Sequence, residues 1–241
     1  MKFTVQRLAL IGLAIATFIG VSYYYVNRVE SPRANAGCGT AQVCANAPAS
    51  MPSHDALTLL DTIRVAGRAA KTGYTREQFG TAWTDDVSVP GGHNKCDTRN
   101  DILQRDMTDV TFKDNSRCVV ASGTLNDPYT GKTIKFVRGP KTSDDVQIDH
   151  IIPLSDAWQK GAQQLSAERR QDLANDPLNL QAVDGPTNQS KSDSDAATWL
   201  PPNKGYWCAY LTRQIQVKAA YQLWVTQAEK DAMTRELTGC P

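Results

Sequence analysis

The sequence predicts an α+β domain cross-linked by disulfides, and three observations lead to that prediction. Apolar residues recur at helical spacing early and late in the chain, whereas the middle contains short apolar or alternating segments bounded by Pro, Gly and Asn, which is typical of strands. Hydrophobic residues make up 41% of the 241 residues, enough for a full core. Six cysteines, all after an apolar N-terminal segment, indicate disulfides formed in an oxidising compartment.

The N-terminus has the pattern of an export signal. Lys2 and Arg7 precede an uncharged apolar run from Leu8 to Val26, which is 19 residues long. That length is close to the roughly 20 residues that span a bilayer as a helix. Ala34-Asn35-Ala36 has the small-x-small form of a cleavage site. A cleaved signal peptide and a retained membrane anchor both stay open, and both place the rest of the chain outside the cell or at its surface.

Composition divides the chain into a signal or anchor at 1–36, a linker at 37–54 and one domain at 55–241. The chain has 26 basic and 25 acidic residues, of which 22 and 24 follow residue 36. This balance excludes a globally basic surface for nucleic acid. A polyanionic partner must therefore be bound by a local site or through a metal ion.

Cysteine order predicts three disulfides between neighbours along the chain: Cys38–Cys44, Cys96–Cys118 and Cys208–Cys240. A zinc site is the rival interpretation of the cysteines. It needs CxxC-like pairs or closely spaced histidines, and the sequence has neither.

The first predicted helix covers 55–71, where apolar residues recur at helical spacing, and Gly73 follows it. A second helix is capped by Asp97 or Thr98 and extends to Met107.

A β-hairpin is predicted from strands at 118–121 and 133–137 around a turn at 126–131. Further strands are predicted at 146–152 and 178–183. The remaining predicted helices are at 155–161, at 166–174, from Pro186 to about 193, and over most of 206–237, where Thr226 and Glu229 fit a capping box.

Polar residues with catalytic chemistry cluster around the later strands. Asp149 and His150 end the strand predicted at 146–152, Asn179 lies in or beside the next strand, and Asn188 lies in the following helix. This strand–strand–helix order brings the Asp, the His and Asn188 toward one point if the strand ends or bulges at His150. Asp and Asn oxygens suit Mg²⁺, and a neutral His can take a proton from water. Together they predict metal-assisted phosphodiester hydrolysis.

Three ordered blocks, Asp149-His150-Ile-Ile-Pro-Leu, Asn175-Asp-Pro-Leu-Asn179-Leu and Asn188-Gln-Ser-Lys191, resemble those of the His-Asn-His (ββα-metal) endonuclease family. More narrowly, they resemble its secreted bacterial subgroup, in which Asn replaces the last His. The resemblance extends from about 74 to 240 and implies a ββα-metal nuclease core with additional helices and a β-hairpin. It implies His150 as general base, Asp149 and Asn188 as metal ligands, and Asn179 as the residue that orients the loop carrying His150. Because the last His is absent, a weakly held Mg²⁺, or alternatively Mn²⁺, fits better than Zn²⁺.

Two basic residues are candidates for contacts with the substrate phosphate. Lys191 lies three residues after Asn188, on nearly the same helix face, and a solvated lysine is the alternative. Arg99 offers a guanidinium that suits phosphate, and a structural salt bridge is the alternative. Four tryptophans are predicted to pack in the core rather than to stack on bases: Trp158, Trp199, Trp207 and Trp224.

The sequence therefore predicts an exported endonuclease that hydrolyses nucleic acid with low sequence specificity, since no helix-turn-helix or other reading module is present. No protein partner is predicted. The alternative is a catalytically inactive cell-surface binding module on the same fold, against which the intact Asp149, His150, Asn179 and Asn188 argue.

Overall fold

The computed structural model describes residues 51–241. The predicted signal or anchor at 1–36, most of the predicted linker and the predicted disulfide Cys38–Cys44 lie outside the described residues. Within 51–241, no helix is both long enough and apolar enough to cross a membrane.

The described residues form seven α-helices and five β-strands, numbered in chain order. The helices are α1 (Ser53–Thr62), α2 (Thr98–Asp106), α3 (Leu154–Gln159), α4 (Ala167–Asn175), α5 (Gly185–Lys191), α6 (Trp207–Ala220) and α7 (Gln227–Leu237). The strands are β1 (Met107–Phe112), β2 (Val120–Asn126), β3 (Thr133–Val137), β4 (Val146–His150) and β5 (Leu180–Asp184). Short 3₁₀ turns lie at Arg76–Phe79, Ala162–Gln164 and Lys204–Tyr206.

Helix α1 ends well before the end of the helix predicted at 55–71. Ile63 is already extended, with φ −77° and ψ 131°. Val65 forms a parallel bridge with Val225, and the N–H of Ala66 donates to the Val225 carbonyl at 2.9 Å. Backbone pairing with a distant segment thus replaces the helix that the local periodicity indicated.

A three-stranded antiparallel sheet, in the order β1-β2-β3, packs against α2. Strands β2 and β3 form the predicted hairpin, with Asn126 opposite Thr133. The sequence did not predict β1, because this edge strand buries only Met107 and lacks a clear apolar alternation. Helix α2 begins as predicted, since the Asp97 side chain accepts from the N–H of Asn100 at 2.9 Å.

Strands β4 and β5 form a separate antiparallel pair, followed directly by α5. His150, the last residue of β4, lies opposite Leu180. Asp184 caps α5 by accepting from the N–H of Thr187 at 2.8 Å, and Pro186 lies in the first turn as predicted. The predicted strand–strand–helix order is therefore present.

The chain around the end of β4 is anchored in three different apolar clusters. Ile148 belongs to the cluster under the three-stranded sheet and α2. Ile151 packs among residues of α1, α6 and α7, and Ile152 packs near Trp158 beside α3 and α4. Because close-packed interiors resist displacement, the backbone on either side of His150 is held firmly.

A buried ionic cluster fixes α3 immediately after this segment. The Nζ of Lys160 lies 2.8 Å from Asp156 and 2.7 Å from both Asp195 and Glu229. The guanidinium of Arg68 lies 2.8 Å from Asp156 and 2.7 Å from Asp195. Buried charges are tolerated when they are paired in this way. The pairing ties α3 to α7 and to the segment around Asp195.

The capping box predicted near the C-terminus and two of the predicted disulfides are confirmed. The N–H of Glu229 donates to Thr226 at 3.2 Å, and the Glu229 carboxylate accepts from the N–H of Thr226 at 3.4 Å, which completes the predicted capping box of α7. Cys96–Cys118 and Cys208–Cys240 are both disulfides, as predicted. The architecture is thus a disulfide-stapled mixture of helices and antiparallel strands, in agreement with the predicted α+β class.

Candidate active site

A polar cleft of about 440 Å³ lies at the end of β4 beside α5. Its lining includes three of the four principal predicted site residues, Asp149, His150 and Asn188, together with Gln147 and Arg76. Neighbouring side chains within a strand point to opposite faces. Because β4 ends at His150, both Asp149 and His150 line this one cleft.

His150 is oriented by a hydrogen bond to the backbone. Its Nε2–H donates to the carbonyl oxygen of Ala174, near the end of α4, at 3.0 Å. A proton on Nε2 leaves the lone pair of the neutral ring on Nδ1. Burial lowers the pKa of His150 to about 4. The ring is therefore neutral at neutral pH, and Nδ1 can accept a proton.

Asn179 is fully buried and binds the backbone that follows His150. Its Oδ1 accepts from the N–H of Ile152 at 2.8 Å, and its own carbonyl accepts from the N–H of Ile151 at 2.7 Å. Its Nδ2 donates to the carbonyl of Leu173 at 3.1 Å. These are the contacts that the predicted orienting role requires, and Asn179 does not line the cleft.

Asp149 forms a buried ion pair with Lys191. The Lys191 Nζ donates to Asp149 Oδ1 at 2.9 Å and to Oδ2 at 2.7 Å, and to the carbonyl of His150 at 2.7 Å. The hydroxyl of Tyr129 also donates to Asp149 Oδ2. The Lys191 side chain is 0% exposed. This geometry corrects the prediction that Lys191 contacts substrate phosphate, because its ammonium lies inside the protein as the partner of Asp149.

Arg99, the other predicted phosphate contact, does not line the cleft. Its guanidinium lies 3.5 Å from the carbonyl of Ser143 and 3.4 Å from that of Val146. Burial lowers the pKa of Arg99, and the positive charge of nearby Arg138 lowers it further. The exposed arginine on the cleft is Arg76, on the first 3₁₀ turn. Sequence reasoning missed Arg76 because it lies far upstream of the motif blocks.

The oxygen atoms around the cleft suit a hydrated divalent cation. The Nδ2 of Asn188 donates to Gln147 Oε1 at 2.9 Å, which leaves Asn188 Oδ1 without a hydrogen bond among the described residues. Asp149 Oδ1 accepts one hydrogen bond and retains a lone pair. Carboxylate and amide oxygens are the ligands that Mg²⁺ prefers. No group of three or more His, Cys, Asp and Glu side chains within 51–241 is arranged to hold a metal, so these donors fit only a cation that keeps water or phosphate ligands.

Three further residues of the site were missed. Gln147 had a usable signal, since it lies two positions before Asp149 and so on the same face of β4. Tyr129 and Trp83 had none, because their contacts are long-range: the first binds Asp149, and the second stacks on His150 with ring centroids 6.0 Å apart and planes 17° apart.

Comparison with known proteins finds a family whose model matches the chain and a similar secreted protein. Residues 97–236 match the family described as GmrSD restriction endonucleases, C-terminal domain. A protein from Arthroderma benhamiae described as an uncharacterized secreted protein is 38% identical over 196 residues, which are 80% of this chain and 89% of the relative. No solved structure matches the chain.

Proposed function

This chain belongs to the family of GmrSD restriction endonuclease C-terminal domains, which is of the HNH type, and on that premise we propose that it is an exported metal-dependent endonuclease with His150 as general base. One observation carries the proposal. The hydrogen bond from His150 Nε2 to Ala174 holds a neutral imidazole in the cleft, beside the oxygen atoms of Asp149 and Asn188, and within 51–241 no group hydrogen-bonds to its Nδ1. The unit β4-β5-α5 is then the ββα nuclease core.

In this mechanism Nδ1 of His150 takes the proton from the water that attacks the phosphorus, a step worth about 10²–10⁴-fold in rate. Asp149 and Asn188 would hold Mg²⁺ or Mn²⁺, whose chemistry when bound is to stabilise negative charge on the phosphate and the leaving oxygen. Arg76 binds the substrate phosphate through its exposed guanidinium. Asn179 keeps the backbone beside His150 in position.

An extracellular location is supported by the two disulfides and by the relative described as secreted. The substrate is nucleic acid, and low sequence specificity follows from the lack of a base-reading module in the sequence.

One observation favours the alternative, an inactive binding module on the same fold. Lys191 neutralises Asp149, the single carboxylate among the proposed metal ligands, which weakens attraction for a cation. Activity measurements separate the two functions.

The test is cleavage of plasmid DNA and of RNA by the purified protein with Mg²⁺, with Mn²⁺ and with EDTA. We expect cleavage that EDTA abolishes and that His150→Ala lowers by about 10²–10⁴-fold. The matched control is His54→Ala, because the His54 side chain is 90% exposed and outside the cleft. A folded His150→Ala variant with wild-type activity would remove His150 from the mechanism, and an inactive wild type would favour the binding module.

A further inference from the structure

A second cavity, of about 340 Å³, adjoins His150. It shares Arg76, His150 and Leu154 with the polar cleft, so the two are neighbouring compartments of one surface depression. Its other walls are mainly apolar and include Phe79, Ala82 and Trp83. Its volume lies within the range of roughly 300–1,000 Å³ that is typical of small-molecule sites. The proposed mechanism takes place in the polar cleft and leaves this cavity without a role.

Asn175, in the wall of the cavity, has a polar atom without a hydrogen bond among the described residues. The residue is only 1% exposed. The Asn175 Nδ2 donates to the carbonyl of Gln171 at 2.9 Å, whereas its Oδ1 has no hydrogen-bond partner in the described part of the chain. A buried acceptor without a donor costs about 1–3 kcal/mol. That acceptor has almost no accessible surface, so it lies behind the wall and contact with a ligand falls to the exposed parts of the lining.

Trp83 forms an aromatic wall beside the catalytic histidine. Its indole lies nearly parallel to the His150 ring and is only partly buried. Trp83 has a φ of 59°, in the left-handed region that bulky residues rarely adopt. Such strained backbone concentrates at ligand sites, where the surrounding structure holds it in place.

We propose that this cavity binds the nucleobase next to the scissile phosphate. A nucleobase has a flat π face that suits the partly exposed Trp83, and its ring suits the mainly apolar walls. Arg76 lies between the two compartments, where it can hold the phosphate while the attached base occupies the apolar side. The inference rests on the proposed function and names the substrate form that the site takes.

The substrate form is single-stranded or locally unpaired. In a duplex the edge of a base is used in pairing and its faces are stacked, so a paired base cannot enter the side cavity without flipping out. Single-stranded nucleic acid presents both the faces and the edge. The enzyme therefore cleaves an unpaired strand faster than the same strand in a duplex.

The first experiment measures kcat/KM for a single-stranded oligonucleotide, for its duplex and for a strand of equal length built from abasic units. We expect kcat/KM for the base-bearing single strand to be roughly 5- to 150-fold higher than for the abasic strand, which is the effect of one stacked base. Ala82→Phe fills the cavity from an exposed loop and should lower that ratio of kcat/KM values to near 1. Thr81→Phe, at the exposed neighbouring position outside the lining, keeps it.

The second experiment measures binding without turnover. Calorimetry with adenosine monophosphate and with ribose phosphate, in the presence of EDTA, reports the contribution of the base alone. We expect the wild type and Thr81→Phe to bind adenosine monophosphate more tightly than ribose phosphate. Ala82→Phe should bind the two compounds with equal affinity. Base-dependent binding without any cleavage would overturn the proposed function and leave the cavity assignment standing. Cleavage with no preference for bases, or a preference that Ala82→Phe leaves unchanged, overturns the cavity assignment while the nuclease stands.

Discussion

Replacing Lys191 with Met tests the buried ion pair on which the site is built. Lys191 Nζ contacts both carboxylate oxygens of Asp149 and the carbonyl of His150, and its side chain is 0% exposed. Methionine fills a similar volume without the charge. The variant leaves Asp149 buried with Tyr129 as its remaining hydrogen-bond donor among the described side chains.

The expected loss follows from this burial. Removing one partner of a buried pair costs about 3–5 kcal/mol, because the other charge is left uncompensated. In a domain of this size each kcal/mol shifts the midpoint of thermal unfolding by about 2–4 °C, so Lys191→Met should lower it by about 6–20 °C. The double variant Lys191→Met/Asp149→Leu should recover most of the loss, because replacing a whole buried pair by apolar groups is often neutral or stabilising.

Calorimetry or circular dichroism at fixed pH measures these midpoints, and repeating the scans with Mg²⁺ tests the proposed metal site independently of activity. Asp149 in Lys191→Met carries an unneutralised charge, so added Mg²⁺ should raise the midpoint of that variant more than that of the wild type. The double variant, which lacks the carboxylate, should show no such gain. An unchanged midpoint in Lys191→Met, or a double variant as unstable as the single one, would refute the argument that the pair is coupled.

Three further predictions concern the reaction. Because burial lowers the pKa of His150 to about 4, the proposed base stays neutral as pH falls from 7, and the cleavage rate should decline only when pH approaches about 4, as a pH–rate profile measures. Asn179→Ala removes the acceptor of the Ile152 N–H and should lower kcat by about 10–100-fold. A metal titration should not restore that rate, since the misplaced group is the proposed base. Arg76→Ala should raise KM with a smaller effect on kcat, because in the proposed mechanism the guanidinium binds substrate phosphate before and during the reaction. A full rate curve on one oligonucleotide separates the two constants.

The features predictable from the sequence are those with a local physical cause. Asp97 begins a helix because its side chain caps the next turn, and Thr226 with Glu229 does the same at α7. The alternation of β3 and the turn before it specify a hairpin without help from the rest of the fold. The placement of Asp149 and His150 at a strand end, where both line the cleft, is also a local property.

The features that were missed depend on distant parts of the chain. The predicted 55–71 helix stops early because Val65 pairs with Val225. Lys191 lies on the helix face that its spacing indicates, but whether that face meets solvent or a buried carboxylate is decided by β4, 42 positions away. Periodicity describes which residues share a face, and only tertiary packing decides what that face contacts.

The Lys191–Asp149 pair also constrains how the proposed active site assembles. A carboxylate already neutralised by an ammonium offers a divalent cation little net charge, and Asn188 adds only an amide oxygen. A bound phosphodiester brings the missing negative charge to the same cleft, held by Arg76. Substrate and cation should therefore bind more tightly together than either does alone, and because such coupling is reciprocal, each raises the affinity of the other by the same factor. The weak protein ligand set is then a cause of substrate-dependent metal binding rather than an argument against catalysis.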